Sequence, residues 1–153
     1  MWQSLFGLTN LIALAGWITL ILAPRRPLVL TLILYAGVGL LCLTYAALAV
    51  SLTAGWIDPV RGGAEPAFDY SISGIRQLFG SDGGIVVGWT HYLALDLFTG
   101  LWIARDGDAK RISRFVQAPI LLATFRAGPL GLLIWLVIRE PAARRSSKGV
   151  RGR

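Results

Sequence analysis

Two stretches of this chain, Ser4 to Ala23 and Leu28 to Thr53, carry no charged side chain at all, and that restricts the possible folds more than any other feature. About 20 apolar residues are what an α-helix needs to cross roughly 30 Å of hydrocarbon. A helix on a soluble domain keeps a polar face for water. Two further apolar runs, Ile85 to Ala104 and Ala118 to Ile138, hold one charged residue each, Asp96 and Arg126. The chain therefore reads as all-α, a membrane bundle of four transmembrane helices over residues 1–138. A basic tail, residues 139–153, follows and is expected to be disordered. Composition agrees: 55% of the 153 residues are hydrophobic, only 15% are charged, and the mean hydropathy is +0.63, too apolar for an ordinary soluble domain.

The connections carry the punctuation. Pro24-Arg25-Arg26-Pro27 ends one helix and starts the next, because proline lacks the donor a helix interior needs. The long connection from Ala54 to Gly84 holds Asp58, Arg61, Glu65, Asp69, Arg76 and Asp82. Within it Ile72, Ile75, Leu78 and Phe79 recur at helical spacing behind Ser71 or Ser73, which predicts a short, serine-capped amphipathic helix between the second and third spans. Such a helix lies on the bilayer surface or folds back as a lid. No Lys or Arg precedes the first run, which outlasts a signal peptide, so an uncleaved helix is expected.

Net charge +7 and a pI near 10.5 do not indicate nucleic acid, because the basic residues sit at the ends of apolar runs and in the tail. Membrane lipid is the expected partner of that charge. Arg25 and Arg26 fall on the same side of the bilayer as Arg105, Lys110, Arg111 and Arg114, and the connection between the second and third spans has more acids than bases. The tail conflicts with this. Four spans would place Arg144, Arg145, Lys148, Arg151 and Arg153 on the acidic side, against the positive-inside rule.

Several single residues carry expectations. Cys42, the only cysteine, forms no disulfide within the chain and reads as an inert core thiol. Gly39, Cys42, Ala46 and Ala49 form a small-residue stripe suited to close helix contact within the bundle or in a homo-oligomer. Thr9 and Asn10 seek a partner helix. Gly128-Pro129-Leu130-Gly131 bends the fourth span at mid-length, a feature common where a cavity is lined. One histidine and a Gly-containing turn at Asp106 and Asp108 point to no metal, and nothing points to a cofactor.

The buried charges are the main functional signal. Asp96 and Arg126 fall at matching depth near the middle of antiparallel spans, and each alone costs about 2.5–3.5 kcal/mol there. An Asp96–Arg126 ion pair is expected. Trp89, Tyr92, Asp96 and Thr99 follow one stripe of the third span; His91, Leu95 and Trp102 follow an adjoining one. His91 and Asp96 are about 140° apart around the helix and do not bond each other. The lone histidine reads either as a hydrogen-bonded core residue or, with Asp96 and Tyr92, as a candidate for acid/base chemistry.

Ser73-Gly74-Ile75 with Leu78-Phe79 and Ser81, then the run from Trp89 through His91 to Asp96-Leu97-Phe98, then Gly128-Pro129-Leu130-Gly131, resemble the abscisic-acid-deficient-four-like family. The resemblance extends from Ala67 to Ile138. Its plant member is required for making neoxanthin from violaxanthin in the plastid, so the resemblance implies a four-helix membrane protein linked to carotenoids or similar long apolar ligands. With no plastid-type extension at the N-terminus, a bacterial cytoplasmic membrane is expected.

Opening a carotenoid epoxide without oxidant needs a proton donor and a base in a dry cavity. On that reading Asp96 acts as acid or stabilises the cation, His91 is the base, Arg126 tunes Asp96, and Tyr92 assists. Trp89, Trp102 and Thr99 contact the substrate. The alternative is a non-catalytic protein that binds a carotenoid or quinone, or supports a biosynthetic complex. A transporter ranks last, since no inverted repeat is visible.

Overall fold

Helix starts in this chain follow its local chemistry. The structure, a computed structural model, describes residues 1–57 and 71–151, with side chains as far as 140. Helix α1 is Trp2–Leu22 and α2 is Pro27–Thr53, the latter passing through a π-helical stretch, Ile33–Gly39. Arg26 is extended and Pro27 takes the first helical position, where its missing N–H costs nothing. Helix α3, Ile72–Leu78, is the expected short helix. Its cap is Ser71, whose Oγ accepts from the Gly74 N–H at 3.1 Å, while Ser73 bonds the Ser71 hydroxyl. Helix α4, Asp82–Ala109, begins the same way at Ser81, which accepts from the Gly84 N–H at 3.0 Å. Helices α5, Arg114–Arg126, and α6, Gly128–Arg151, follow. No strand occurs among the described residues. Asp58, Arg61, Glu65, Ala67 and Asp69 lie outside them. The backbone is helical to Arg151, where a disordered tail is expected.

Helix α4 is the centre of the fold. Helix α1 lies parallel to it: Asn10 meets Trp89, Gly16 meets Leu97, Trp17 meets Gly100, and Arg25, just past α1, reaches the Ala104 carbonyl. Helix α2 runs the other way, with Gly37 at Leu97 and Tyr45 at His91. Leu97 is fully buried because it wedges between two glycines. A Cβ on Gly16 would come within 2.7 Å of its side chain and one on Gly37 within 3.2 Å, so both helices approach only without side chains there.

Helix α2 turns Ile33, Gly37, Leu41 and Leu52 inward. This corrects the expectation of a core Cys42 and leaves the small-residue stripe out of the contacts within the bundle. Cys42 is exposed, and Ala46 is exposed with Gly39 and Ala49 half-buried. Large apolar residues fill the space towards α1 and α4, and the small-residue stripe falls on another sector. Helices α1 and α2 are long and apolar enough to cross a membrane, yet only 28% and 22% of their most apolar stretches are buried within the protein. Leu8, Leu11, Ile18, Leu28 and Leu32 face outward. The core helix of a soluble protein hides such residues; these show them.

The fourth apolar run differs most from expectation. The single bent helix expected over Ala118 to Ile138 is instead a hairpin. At Ala127 the backbone is extended (φ −156°, ψ 87°), and Gly131 packs on the backbone of Thr124. Seven residues apart in one straight helix, those two would be about 10 Å apart. Helix α5 runs back along α4, with Gln117 against Gly107 and Asp108. Helix α6 reverses again: Gly128 lies at Asp96, Leu132 and Leu136 share a groove with Phe98 and Trp102, and Arg139 reaches Asp106. From 96 to 106 and from 128 to 139 the helices rise by nearly the same distance, about 15 Å. The hairpin therefore covers only the half of α4 nearer Asp106. Pro129 stops α5 from propagating, since its ring and missing N–H are tolerated only in the first turn of a new helix.

Candidate functional site

Polar groups divide α4 into two halves. At the end where α4 stops, Asp106 accepts from Arg139 (2.7 and 3.0 Å), from Lys110 (2.5 Å) and from the indole N–H of buried Trp135 (3.1 Å). Burial raises the Asp106 carboxyl, but the hydrogen bonds of Arg139 and Lys110 outweigh it and hold the group below the usual carboxylate range. Those same bonds push the Arg139 guanidinium up, and Arg139 also stacks over Trp102, 5.3 Å from the ring centroid.

Beside this network Arg25, its side chain only 4% exposed, pairs with Asp108 at 2.8 Å and donates to Gln117 Oε1 and to the Ala104 carbonyl. Burial lowers its guanidinium despite the attraction of Asp108. Gln117 is fully buried and turns its amide towards Asp108 and the Ile112 carbonyl. Asp106 and Asp108, expected in a turn, instead lie in the last helical turn of α4, held by the protein's own cations and amides. Gln117 was missed in the sequence because a lone amide near the start of an apolar run carries no pattern.

Halfway along α4, Asp96 meets the hairpin. The expected ion pair with Arg126 does not form: among the described residues no cation lies within bridging distance of Asp96, and Arg126 is exposed at the end of α5. The Asp96 carboxylate instead accepts the backbone N–H of Gly128, and a side chain at position 128 would overlap it. A carboxylate at a helix start satisfies an orphan donor and opposes the positive end of the helix dipole. The match was invisible in the sequence because the partner is a backbone amide exposed by the break at Ala127.

Beyond Asp96 no part of the hairpin lies over α4. Ile85, Trp89 and Tyr92, within about 40° of Asp96 around the helix, are 44%, 42% and 57% exposed. Trp89 donates its indole N–H to Asn10 Oδ1 at 3.1 Å and stacks on Phe6 with centroids 5.9 Å apart. Asn10 is thereby the interhelical contact its position suggests, while Thr9, buried beside it, bonds back to the Phe6 carbonyl. A cleft of about 460 Å³ lined by Trp2, Phe6, Ile85 and Val86 opens at this end.

The other candidate residues lie elsewhere. His91 is exposed, its ring 5.3 Å from Tyr45 of α2 and 6.2 Å from Tyr92, so it is not a core histidine. Thr99 and Trp102 line an open groove of about 360 Å³ between α4 and α6 with Phe98, Leu132 and Leu136. The structure therefore gathers Trp89, Tyr92 and Asp96 on one face, sets His91 at its edge against Tyr45, and places Thr99 and Trp102 in the open groove beside α6.

These features define an all-helical protein in which two strongly apolar helices flank a central one and a helical hairpin covers half of that centre. The chain belongs to the ABA DEFICIENT 4-like family, whose family model matches residues 4–135. No curated protein and no solved structure matches it.

Proposed function

We propose that this is a multi-pass integral membrane protein of carotenoid or related polyene metabolism, which holds its ligand along the uncovered half of α4. In this reading α1, α2 and α4 cross the bilayer, and the α5–α6 hairpin enters from the Asp106 end to mid-depth and returns. Arg25, Arg105, Lys110, Arg111, Arg139 and the basic tail then share one side, and the conflict with the positive-inside rule disappears. Cysteines placed at Lys110 and at Lys148 should label from the same side of sealed vesicles; labelling from opposite sides removes the hairpin topology.

The observation that carries the ligand reading is the stripe Ile85, Trp89, Tyr92 and Asp96. Above the hairpin this face of α4 is aromatic and uncovered; below it Ile103 is fully buried and Thr99 partly so. A long apolar molecule fits there with its chain on the rings and its polar end near Asp96. Purification in mild detergent from a carotenoid-producing host should yield protein with a polyene absorption band. Protein of ordinary yield with no band overturns the reading.

A second reading, turnover, is favoured by Tyr92 and Asp96 lying one turn apart on that stripe with His91 beside Tyr92. Epoxide opening to an isomer is balanced by one proton delivered to the ring oxygen as the C–O bond breaks, and one removed from the adjacent carbon. Asp96, already accepting an N–H, suits stabilisation of the cation, with Tyr92 and His91 left to move protons. Asp96→Asn and His91→Ala should then abolish conversion at normal protein levels, read by pigment chromatography. Unchanged pigment with the wild type leaves binding as the function.

A further inference from the structure

The groove between α4 and α6 is short, wide and closed at one end. Its walls run from Phe98 to Trp102 on α4 and from Leu132 to Leu136 on α6, about 6 Å of rise on each helix. A volume of about 360 Å³ over that height is far wider than one hydrocarbon chain. At the lower end Arg139 stacks over Trp102 while Asp106 holds its guanidinium. The upper end is open. Tyr92, Leu95, Thr99 and Trp102 lie within about 80° of one another around α4, and the first two are 57% and 49% exposed, so the uncovered upper half of the helix leads into the groove. The polar groups of the lining are the Trp102 indole and the Thr99 hydroxyl, and the hydroxyl is bonded back to the Leu95 carbonyl at 2.8 Å. Asp96 stands one turn above Thr99, at the upper edge.

We propose that this groove seats the end group of the ligand, and that the end group is a bulky hydrocarbon ring rather than an open chain. This rests on the reading that the uncovered half of α4 holds an apolar chain. The chain descends over Tyr92 and Leu95, the ring lies against Trp102 and Leu136, and a polar atom on it faces Asp96. Width decides for a ring, because a cavity wall gains only from atoms that touch it and a thin chain leaves most of this wall without contact. The closed lower end makes the groove a terminus for the ligand and not a passage.

The test compares β-carotene with lycopene, isomers that differ in whether the chain ends are closed into rings. The detergent-solubilised full chain, purified pigment-free, is incubated with each, and the pigment retained through gel filtration is read by absorption. The wild type should retain the ringed isomer about tenfold better, the discrimination an apolar pocket gives. Leu136→Trp fills the groove and should erase the difference while leaving lycopene retention in place. Leu133→Trp, on the outward side of the same helix, should keep it. Equal retention of the two isomers by the wild type, a ring preference that survives Leu136→Trp, or one lost equally in Leu133→Trp overturns the assignment and leaves the chain site standing. Retention of neither isomer by the wild type overturns the uncovered half of α4 as a chain site as well.

Discussion

The two halves of α4 solve opposite problems. Towards Asp106 charges are paired beside the hairpin: two aspartates, three cations, one indole and one buried amide form adjoining networks. Towards Ser81 the same helix carries Trp89 and Tyr92 uncovered, and the hairpin stops short of them. A helix flanked evenly along its length would serve architecture alone. Covering half of one face to mid-length turns its upper part into a surface for something else, and places Asp96 and Arg126 at the boundary.

The sharpest way to break that contrast is to remove Asp106. Asp106→Ala leaves Arg139, Lys110 and the Trp135 indole without their shared acceptor, and losing one member of such a partly buried charge cluster costs about 3 kcal/mol. Thermal unfolding in detergent should show this as the largest loss of any single substitution on α4, with the hairpin detaching first. Acid should act in the same direction. The folded Asp106 carboxyl sits below its ordinary value of 3.8, so its contribution is full above that value and is lost as pH falls through the lower folded one. Thermal stability that is flat below pH 4 in the wild type would show that the network does not anchor the hairpin.

The boundary itself is tested by Gly128→Ala. A methyl group there displaces the Asp96 carboxylate and the N–H it accepts, a combination of overpacking and a lost cap worth about 2 kcal/mol. Moving upward, Trp89→Ala removes an exposed ring and one hydrogen bond to Asn10, for about 1 kcal/mol. Its effect on co-purifying pigment should exceed its effect on stability. A Trp89→Ala protein that is normally pigmented makes the upper half ordinary lipid-facing surface.

Much of this was legible in residue patterns, and what was not had a common cause. Uncharged runs give α1 and α2 because length and apolarity alone decide whether a helix can cross hydrocarbon, and Ser71 announces α3 because capping is local. The hairpin was hidden because Gly128-Pro129 inside an apolar run fits a kink as well as a reversal. The choice between them depends on Asp96, 32 positions earlier, and on Asp106 receiving Arg139. The same distance in sequence explains the mistaken Asp96–Arg126 pair: matching charges by depth assumes two full spans, and a backbone N–H freed by a break competes for the carboxylate. Cys42 was misplaced because a stripe at helical spacing shows that a face exists, without showing which face the partner helices take.

The smallest expected effect gives the comparison its baseline. Two glycines of α1 lie nine residues apart, and only one is needed. Gly16 faces Leu97, where a methyl group would come within 2.7 Å of the buried side chain, while at Gly7 it would meet nothing within 4 Å. Gly16→Ala should therefore destabilise, by about 1 kcal/mol, the lower end of the overpacking range, because the leucine tip has some freedom to move. Gly7→Ala gains helix propensity with no clash and should be neutral or stabilising by up to about 1 kcal/mol. Thermal midpoints of the two variants, measured side by side, should fall on opposite sides of the wild type. A loss at Gly7 as large as that at Gly16 would mean that the outer face of α1 is covered in the membrane by another copy or another protein, and the exposed upper half of α4 would then have to be read as part of that contact.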